Sequence, residues 1–130
     1  MAIINGTPGA DTLTGTADAD QMRGLAGNDV LNAGGGNDIL MGGDGADQLN
    51  GGAGFDIASY EDVPTSVGVS LNLKTGVHTG FAAGDTFVDI ESYRGSNYND
   101  TFYASAAADN LDGYNGIDTL SYAQSEQGIN

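Results

Sequence analysis

The chain has no cysteine and very few basic residues. The absence of cysteine among 130 residues excludes disulfides, thiolate metal sites and a cysteine nucleophile. Three Lys and Arg residues stand against 18 Asp and Glu residues, so the formal net charge is −15. Nucleic acids and anionic membrane surfaces attract basic residues, and this charge therefore argues against both as partners.

Long hydrophobic runs are also missing. No segment approaches the roughly 18–20 apolar residues needed to cross a bilayer, so we expect no transmembrane segment. Residues 1–15 have no basic start followed by an apolar stretch, which argues against a conventional N-terminal secretory signal. Hydrophobic residues make up 39% of the chain, and this length and composition predict one domain with a thin core.

Motifs of common enzyme classes are absent. His78 is the only histidine; one histidine cannot make a zinc site, and we expect it to be exposed. There is no H-E-x-x-H, G-x-S-x-G or phosphate-binding G-x-x-x-x-G-K-[ST] segment. A glycosidase pair is an alternative use of the many carboxylates, but their regular spacing favours a ligand role. The sequence predicts no enzyme activity in this chain.

Glycine and aspartate are abundant, and they follow a nine-residue period. Six units cover residues 6–59, with aspartate at position six, glycine at position four in five of the six, and an apolar residue at position eight. Three further units cover residues 95–121 in the same phase. Nine of the fifteen aspartates therefore occupy one slot of the repeat: Asp11, Asp20, Asp29, Asp38, Asp47, Asp56, Asp100, Asp109 and Asp118.

Residues 60–94 interrupt the repeats. GFDIASY at 54–60 recurs as GIDTLSY at 116–122, so residues 122–130 read as the start of a second insert. We expect the chain to be one β-roll domain and a fragment of a longer protein. Residues 67–73 alternate apolar and polar, and residues 84–93 read similarly, so we expect longer strands that continue the roll. Tyr60 and Tyr122 should pack at its edge.

Each nine-residue unit divides into a six-residue turn and a three-residue strand. Glycine in the turn permits φ > 0 and close backbone approach. Position eight, the middle of the strand, points inward. Three residues are too few for a stable strand alone, so each strand should pair with the strand two units away. The prediction is an all-β parallel β-roll with one file of side chains per sheet.

The stacked turns offer oxygen ligands. Ca²⁺ takes six to eight oxygens, and turns on one side of the roll lie two units apart. Five sites then follow, with about five Ca²⁺ ions offsetting roughly ten negative charges. Binding would be coupled to folding, which predicts a disordered apo chain and a folded calcium-bound chain. The predicted pairs are Asp11 with Asp29, Asp20 with Asp38, Asp29 with Asp47, Asp38 with Asp56, and Asp100 with Asp118.

Other arrangements fit less well. An EF-hand loop needs acids at positions one, three and five and a glutamate at twelve, and no segment offers this pattern. A flexible glycine-rich linker describes the apo state but not the apolar residue at every position eight. In the insert, Asp62, Asp85, Asp89 and Glu91 are further candidate ligands, with Asp85 the strongest.

The unit G-G-x-G-x-D-x-U-x resembles the repeats-in-toxin (RTX, haemolysin-type) calcium-binding repeat, over residues 6–59 and 95–121 and most closely at 24–59. The resemblance implies a parallel β-roll in the form of a right-handed β-helix, and a bacterial, secreted protein that leaves the cell through a type I secretion apparatus and folds in the calcium-rich exterior. It also implies carbonyl ligands from positions two and four of one turn and positions one and three of its stacked partner. In this chain these are Thr7 and Gly9 with Gly24 and Ala26, Thr16 and Asp18 with Ala33 and Gly35, Leu25 and Gly27 with Gly42 and Asp44, Gly34 and Gly36 with Gly51 and Ala53, and Ser96 and Tyr98 with Gly113 and Asn115.

Some units depart from the family pattern. Units one and two have threonine at position two, and Asp18 replaces the glycine at position four. Unit eight, residues 104–112, has lost every turn glycine. Asp109 is therefore the weakest of the repeat aspartates as a calcium ligand.

Three functions fit the sequence. The first is a calcium-driven folding, secretion and stability module of a larger extracellular protein. The second is an adhesion or carbohydrate-binding protein whose insert and tyrosines bind an extracellular glycan or cell-surface ligand. The third is the non-catalytic part of a secreted enzyme. The repeat favours the first.

Overall fold

The computed structural model describes residues 1–62, 68–73, 75–104 and 110–121. The described residues include a short 3-10 helix, Gly80–Ala82. None of their helices is long and apolar enough to span a bilayer. The strands are short and are separated by turns. They are β1 Ala2–Asn5, β2 Thr12–Thr14, β3 Asp20–Arg23, β4 Val30–Asn32, β5 Ile39–Met41, β6 Gln48–Asn50, β7 Ile57–Ser59, β8 Ser70–Asn72, β9 Thr86–Val88, β10 Ser92–Arg94, β11 Thr101–Tyr103, β12 Asn110–Asp112 and β13 Thr119–Ser121.

The strands form a parallel β-roll, as predicted. Leu13 is in register with Leu31, and Leu31 with Leu49, so strands two units apart pair. Consecutive units lie in opposite sheets. One sheet has the order β1-β3-β5-β7-β10-β12; the other face carries β2-β4-β6-β9 and a separate β8-β11-β13. Successive turns therefore alternate between two edges of the roll, and turns on one edge stack on each other.

The core of the first block is a file of position-eight side chains. Met22, Leu31, Leu40, Leu49 and Ala58 are buried together between the two faces. Burying a Leu or Met side chain contributes about 1.5–3 kcal/mol. Most strands of this block bury one such residue, and β5 buries both Leu40 and Met41. The core is therefore thin.

The insert joins the roll with irregular spacing. Ile57 pairs with Ser92, Gln48 with Thr86, and Ser70 with Thr101. A regular coil has one strand on each face of the roll. The insert instead has two strands, β8 and β9, on the face opposite β10, and that face is divided into two sheets, which end at β8 and at β9.

The expectation of longer strands in the insert was wrong. The strands in the described part of the insert, β8, β9 and β10, are each three residues long. Residues 84–93 hold β9 and the start of β10, with a turn between them in which Asp89 has φ 53°. Neighbouring strands of the roll are three residues long, so any additional residue would lack a pairing partner.

Aromatic side chains fill the core beside the insert. Tyr60, Leu71 and Phe102 are buried there, so Tyr60 packs inside the roll and not at its edge as predicted. Tyr122 lies outside the described residues. His78 is 6% exposed, which contradicts the expected exposure. Its Nδ1 accepts the Asn72 N–H at 3.0 Å and its ring packs against Phe87, and burial lowers the pKa of His78.

Candidate metal centres in the stacked turns

The repeat aspartates form hydrogen-bonded ladders along both edges of the roll. In each pair, the main-chain N–H of one aspartate donates to Oδ1 of the aspartate 18 residues later. The structure thus brings together all five pairs that the spacing predicts. The N–Oδ1 distances are 2.8 Å for Asp11 and Asp29, 2.7 Å for Asp20 and Asp38, 2.8 Å for Asp29 and Asp47, 2.9 Å for Asp38 and Asp56, and 2.8 Å for Asp100 and Asp118.

Two acids of the insert occupy the same slot. The Asp47 N–H donates to Asp85 Oδ1 at 2.7 Å, and the Asp56 N–H donates to Glu91 Oε1 at 2.7 Å. Asp85 was the strongest insert candidate. Glu91 was a weaker candidate, and both acids lie outside the period of nine, 38 residues after Asp47 and 35 residues after Asp56. The apolar residue two positions after each acid, as in the repeat, is the signal that marks both.

The other insert acids take different positions. Asp62 Oδ2 lies 3.8 Å from Arg23 Nε in an ion pair. The main-chain carbonyl of Asp89, in contrast to its carboxylate, faces Gly51. Asp109 lies outside the described residues. Of the four insert candidates, Asp85 and Glu91 are therefore the ones placed in the ladders.

Four turns leave a carboxylate oxygen without a partner. We call these glycine turns: 24–29, 33–38, 42–47 and 51–56. Among the described residues, Oδ2 of their four aspartates is buried and accepts no hydrogen bond: Asp29, Asp38, Asp47 and Asp56. Each of these residues is at most 1% exposed. A buried charged oxygen without a partner is costly, so a cation at this point would be strongly favoured.

Electrostatics of these carboxylates agree with their burial. Burial, together with the charge of Asp29, raises the pKa of Asp47 to about 6. Burial likewise raises the pKa of Asp56 to about 6, with the Asp38 and Glu91 charges acting in the same direction. The pKa values of Asp29 and Asp38 are also raised by burial. The stacked row therefore disfavours its own ionised form unless a positive charge joins it.

Main-chain carbonyls converge on the unpartnered oxygens. A Cβ added to Gly24 would lie against Asp29 Oδ2 and 2.6 Å from the Gly42 carbonyl oxygen. A Cβ on Gly51 would meet Asp56 Oδ2 and the Asp89 carbonyl oxygen in the same way. Position one therefore has to be small, because a carboxylate oxygen and a carbonyl oxygen share the space beside it.

Other carbonyls that the resemblance implies also lie between stacked turns. The position-one carbonyls of Gly24, Ala33 and Gly113 face the glycines two units earlier: Gly6, Gly15 and Gly95. Each position-four carbonyl faces the position-four glycine two units later: Gly9 faces Gly27, Asp18 faces Gly36, Gly27 faces Gly45, Gly36 faces Gly54, and Tyr98 faces Gly116. Three position-two carbonyls are engaged between turns: Thr16 accepts the Gly35 N–H at 3.0 Å, Leu25 that of Asp44 at 2.8 Å, and Gly34 that of Ala53 at 2.9 Å.

This donor set fits a hard cation. No three Asp, Glu or His side chains of the described residues gather as a metal-binding group. A bound ion would therefore combine carboxylate oxygens with main-chain carbonyls, in the manner of calcium sites. Magnesium demands a tighter octahedron and softer metals prefer nitrogen or sulfur ligands, so calcium fits best.

Three other turns hold their aspartate differently. We call them hydroxyl turns, 6–11, 15–20 and 95–100, because position two is Thr7, Thr16 or Ser96. The Thr7 N–H and Oγ1 donate to Asp11 Oδ2 at 2.6 and 3.0 Å. The Thr16 N–H and Oγ1 donate to Asp20 Oδ2 at 2.7 and 2.9 Å, and the Thr16 N–H is the main cause that lowers the pKa of Asp20.

Ser96 repeats the arrangement in the second block. Its N–H donates to Asp100 Oδ2 at 2.9 Å, and its Oγ donates to Asp100 Oδ1 at 2.6 Å. Asp85 is held by a hydroxyl from farther away: the Tyr60 O–H donates to Asp85 Oδ2 at 2.6 Å, inside the core. Burial raises the pKa of Asp85 to about 7.

Comparison with known proteins agrees with this geometry. The chain matches the RTX calcium-binding nonapeptide repeat (4 copies) over residues 3–31, 23–58 and 85–120, which is more than half of its length. The chain therefore belongs to the RTX calcium-binding repeat family, a family of structural calcium-binding modules. No curated protein matches the chain.

Proposed function

We propose that this chain is a calcium-driven folding module of a larger secreted bacterial protein. The observation that carries the proposal is the set of four buried aspartates, each with one oxygen that no group of the described chain satisfies. A fold that buries such oxygens needs a cation to be stable at neutral pH. The glycine turns, with their carbonyls directed at the same points, supply the remaining ligands.

Charge couples ion binding to folding. The formal net charge is −15, and the roll stacks its aspartates two units apart on both edges. Without a cation, repulsion along each row opposes the thin hydrophobic core. Each bound calcium adds two positive charges inside the row, and its binding free energy adds to the stability of the fold.

Coupled folding is useful to an exported protein. The chain would stay unfolded where free calcium is scarce, pass through a type I secretion apparatus, and fold outside the cell. Membership of the RTX family supports this route. In the parent protein the roll would then act as a stable extracellular module without chemistry of its own.

A calcium titration tests the proposal. Far-UV circular dichroism of the chain in excess chelator should show a disordered spectrum, and millimolar CaCl₂ should convert it to a β-rich one. MgCl₂ at the same ionic strength should not. A chain that is β-rich in chelator, or unchanged by calcium, would refute the proposal.

A matched pair of variants ties the response to the buried oxygens. Asp47→Asn removes a buried, unpartnered carboxylate, so the calcium midpoint should rise at least about tenfold, the equivalent of one lost charged ligand contact. Asp44→Asn removes the same charge from the exposed position three of the same turn and keeps its carbonyl. Its midpoint should move little. Equal shifts in both variants would show that net charge, not the buried site, controls folding.

A further inference from the structure

The residue at position two selects between two turn conformations. Positions two of the glycine turns are left-handed, with φ 80° at Leu25, 99° at Gly34, 93° at Gly43 and 82° at Gly52. Thr7, Thr16 and Ser96 are not among the described residues with positive φ. A β-branched residue strongly disfavours the left-handed region, so threonine enforces the second conformation. In that conformation the position-two N–H reaches the aspartate; in the glycine turns Oδ2 accepts nothing.

The position-two hydroxyl is oriented to donate a hydrogen bond to the aspartate carboxylate. In each hydroxyl turn, the hydroxyl oxygen accepts the position-four N–H: from Gly9 at 3.2 Å, from Asp18 at 3.1 Å, and from Tyr98 at 3.1 Å. This bond occupies an oxygen lone pair and leaves the hydroxyl proton for the aspartate. The turn therefore satisfies its own carboxylate with groups of the protein.

These donors occupy the place that a cation needs. Oδ2 of Asp11 and of Asp20 each accept an N–H and an O–H. The positive ends of these bonds point at the oxygen that faces the next turn, so a cation there would meet repulsion and would have few free lone pairs. Oδ2 of the glycine-turn aspartates has neither obstacle.

We propose that the hydroxyl turns hold Asp11, Asp20 and Asp100 without a cation, and that calcium in the first block is confined to the glycine turns. The inference rests on the proposed calcium function and narrows it. Tyr60 satisfies Asp85 by the same chemistry, so the four ion sites lie between aspartates held without a metal: Asp11 and Asp20 before them and Asp85 of the insert after them. The Asp100–Asp118 pair is then a structural pair and not a fifth calcium site.

Ion counting separates the two kinds of turn. Wild type and single variants are dialysed against saturating CaCl₂, and bound calcium per chain is measured by atomic absorption. Asp20→Asn and Asp38→Asn are a matched pair, since these aspartates stack on the same edge. Asp38→Asn should lose about one ion, whereas Asp20→Asn should keep the wild-type count. Loss of an ion from Asp20→Asn would overturn the inference.

A second pair at Thr16 covers the case in which Asp20→Asn does not fold. Thr16→Gly permits the left-handed turn and frees Asp20 Oδ2, so the count should rise by about one ion. Thr16→Ser keeps the hydroxyl and should keep the count. An unchanged count in Thr16→Gly would overturn the inference while leaving the proposed function intact. A wild type that binds no calcium would overturn both.

Discussion

The first repeat block and the insert place acids in the same ladder but satisfy them differently. In residues 24–56 the second oxygen of each ladder aspartate is buried without a donor, and in Asp29, Asp47 and Asp56 it lies beside a glycine. In the insert, Asp85 occupies the equivalent slot against Asp47 and receives the Tyr60 hydroxyl. Around it, His78, Phe87 and Tyr93 form edge-on aromatic contacts, where the first block has single aliphatic side chains.

The difference shows two solutions to one electrostatic problem. A ladder carboxylate stabilises the roll because its Oδ1 accepts a hydrogen bond from a main-chain N–H of the neighbouring coil. Its second oxygen then has to find a positive partner, either an ion or a hydroxyl of the protein. A block of glycine turns leaves that role to an ion and becomes calcium-dependent. A segment with tyrosine or threonine in reach supplies the donor itself.

The largest effect is expected where a side chain would enter the stacked turns. In Gly43→Ala the new Cβ meets the Leu25 carbonyl oxygen at a left-handed φ of 93°. The calcium-bound fold should lose at least about 3 kcal/mol, measured by urea unfolding in saturating calcium. Gly76→Ala is the control, because Gly76 has φ 78° but no described atom within 4 Å of the added Cβ. It should cost only about 1–2 kcal/mol, and equal losses would refute the steric argument.

Acidification should replace part of the effect of calcium. Burial raises the pKa of Asp47 and Asp56 to about 6 and that of Asp85 to about 7, from the ordinary value of 3.8. An acid with a raised pKa in the folded state stabilises the fold fully below 3.8 and loses that contribution as pH rises through the folded-state pKa. In calcium-free buffer, β structure by circular dichroism should therefore increase as pH falls from 7 to 5.

Asp20, in a hydroxyl turn, opposes this trend in a lower range of pH. The pKa of Asp20 is lowered, so its contribution is present above 3.8 and is lost as pH falls through its folded-state pKa. The gain on acidification should thus stop and reverse at strongly acid pH. A steady loss of structure from pH 7 downward would contradict the raised pKa values in the glycine turns.

Removing the Tyr60 hydroxyl should leave Asp85 with an unpartnered carboxylate oxygen, as in the glycine turns. Tyr60→Phe leaves Asp85 Oδ2 buried without a hydrogen bond and should cost about 1–3 kcal/mol. Urea unfolding in saturating calcium at pH 8, above the pKa of Asp85, is the measurement. Tyr114→Phe changes a residue that is 45% exposed and should leave stability unchanged. A neutral Tyr60→Phe would show that its hydroxyl does not matter to Asp85.

The smallest effect on stability is expected at Leu25, which occupies position two of the turn 24–29, where the other three glycine turns have glycine. Leu25 has φ 80°, a conformation that costs a leucine about 1–2 kcal/mol relative to glycine. Leu25→Gly relieves this strain but makes the unfolded chain more flexible, so a net gain of about 0.5 kcal/mol is expected. Thermal unfolding in saturating calcium would detect it. A lower melting temperature would mean that the contacts of the Leu25 side chain outweigh its backbone strain.

Regular periodicity made the repeats predictable. Position six, position eight and the 18-residue pairing follow from local spacing alone, because every coil repeats the same bonds. Residues 60–94 lack that periodicity, and there the predictions of longer strands, an exposed His78 and an edge position for Tyr60 were wrong. Paired residues of the insert strands and their neighbours are 31, 35 or 38 residues apart in the sequence. These separations depend on how loops of unequal length close onto the roll.

By itself, the sequence determined the parallel roll, the membership in the calcium-binding repeat family and the aspartates that stack, since a nine-residue period permits few other ways to bury position eight. Only the tertiary structure decided which carboxylate oxygens lack a partner. That outcome depends on the backbone conformation at Leu25, Gly34, Gly43 and Gly52, on hydroxyls at Thr7, Thr16 and Ser96, and on a tyrosine 25 residues from Asp85. Hydrogen bonds of this kind follow from three-dimensional proximity, which composition and spacing do not specify.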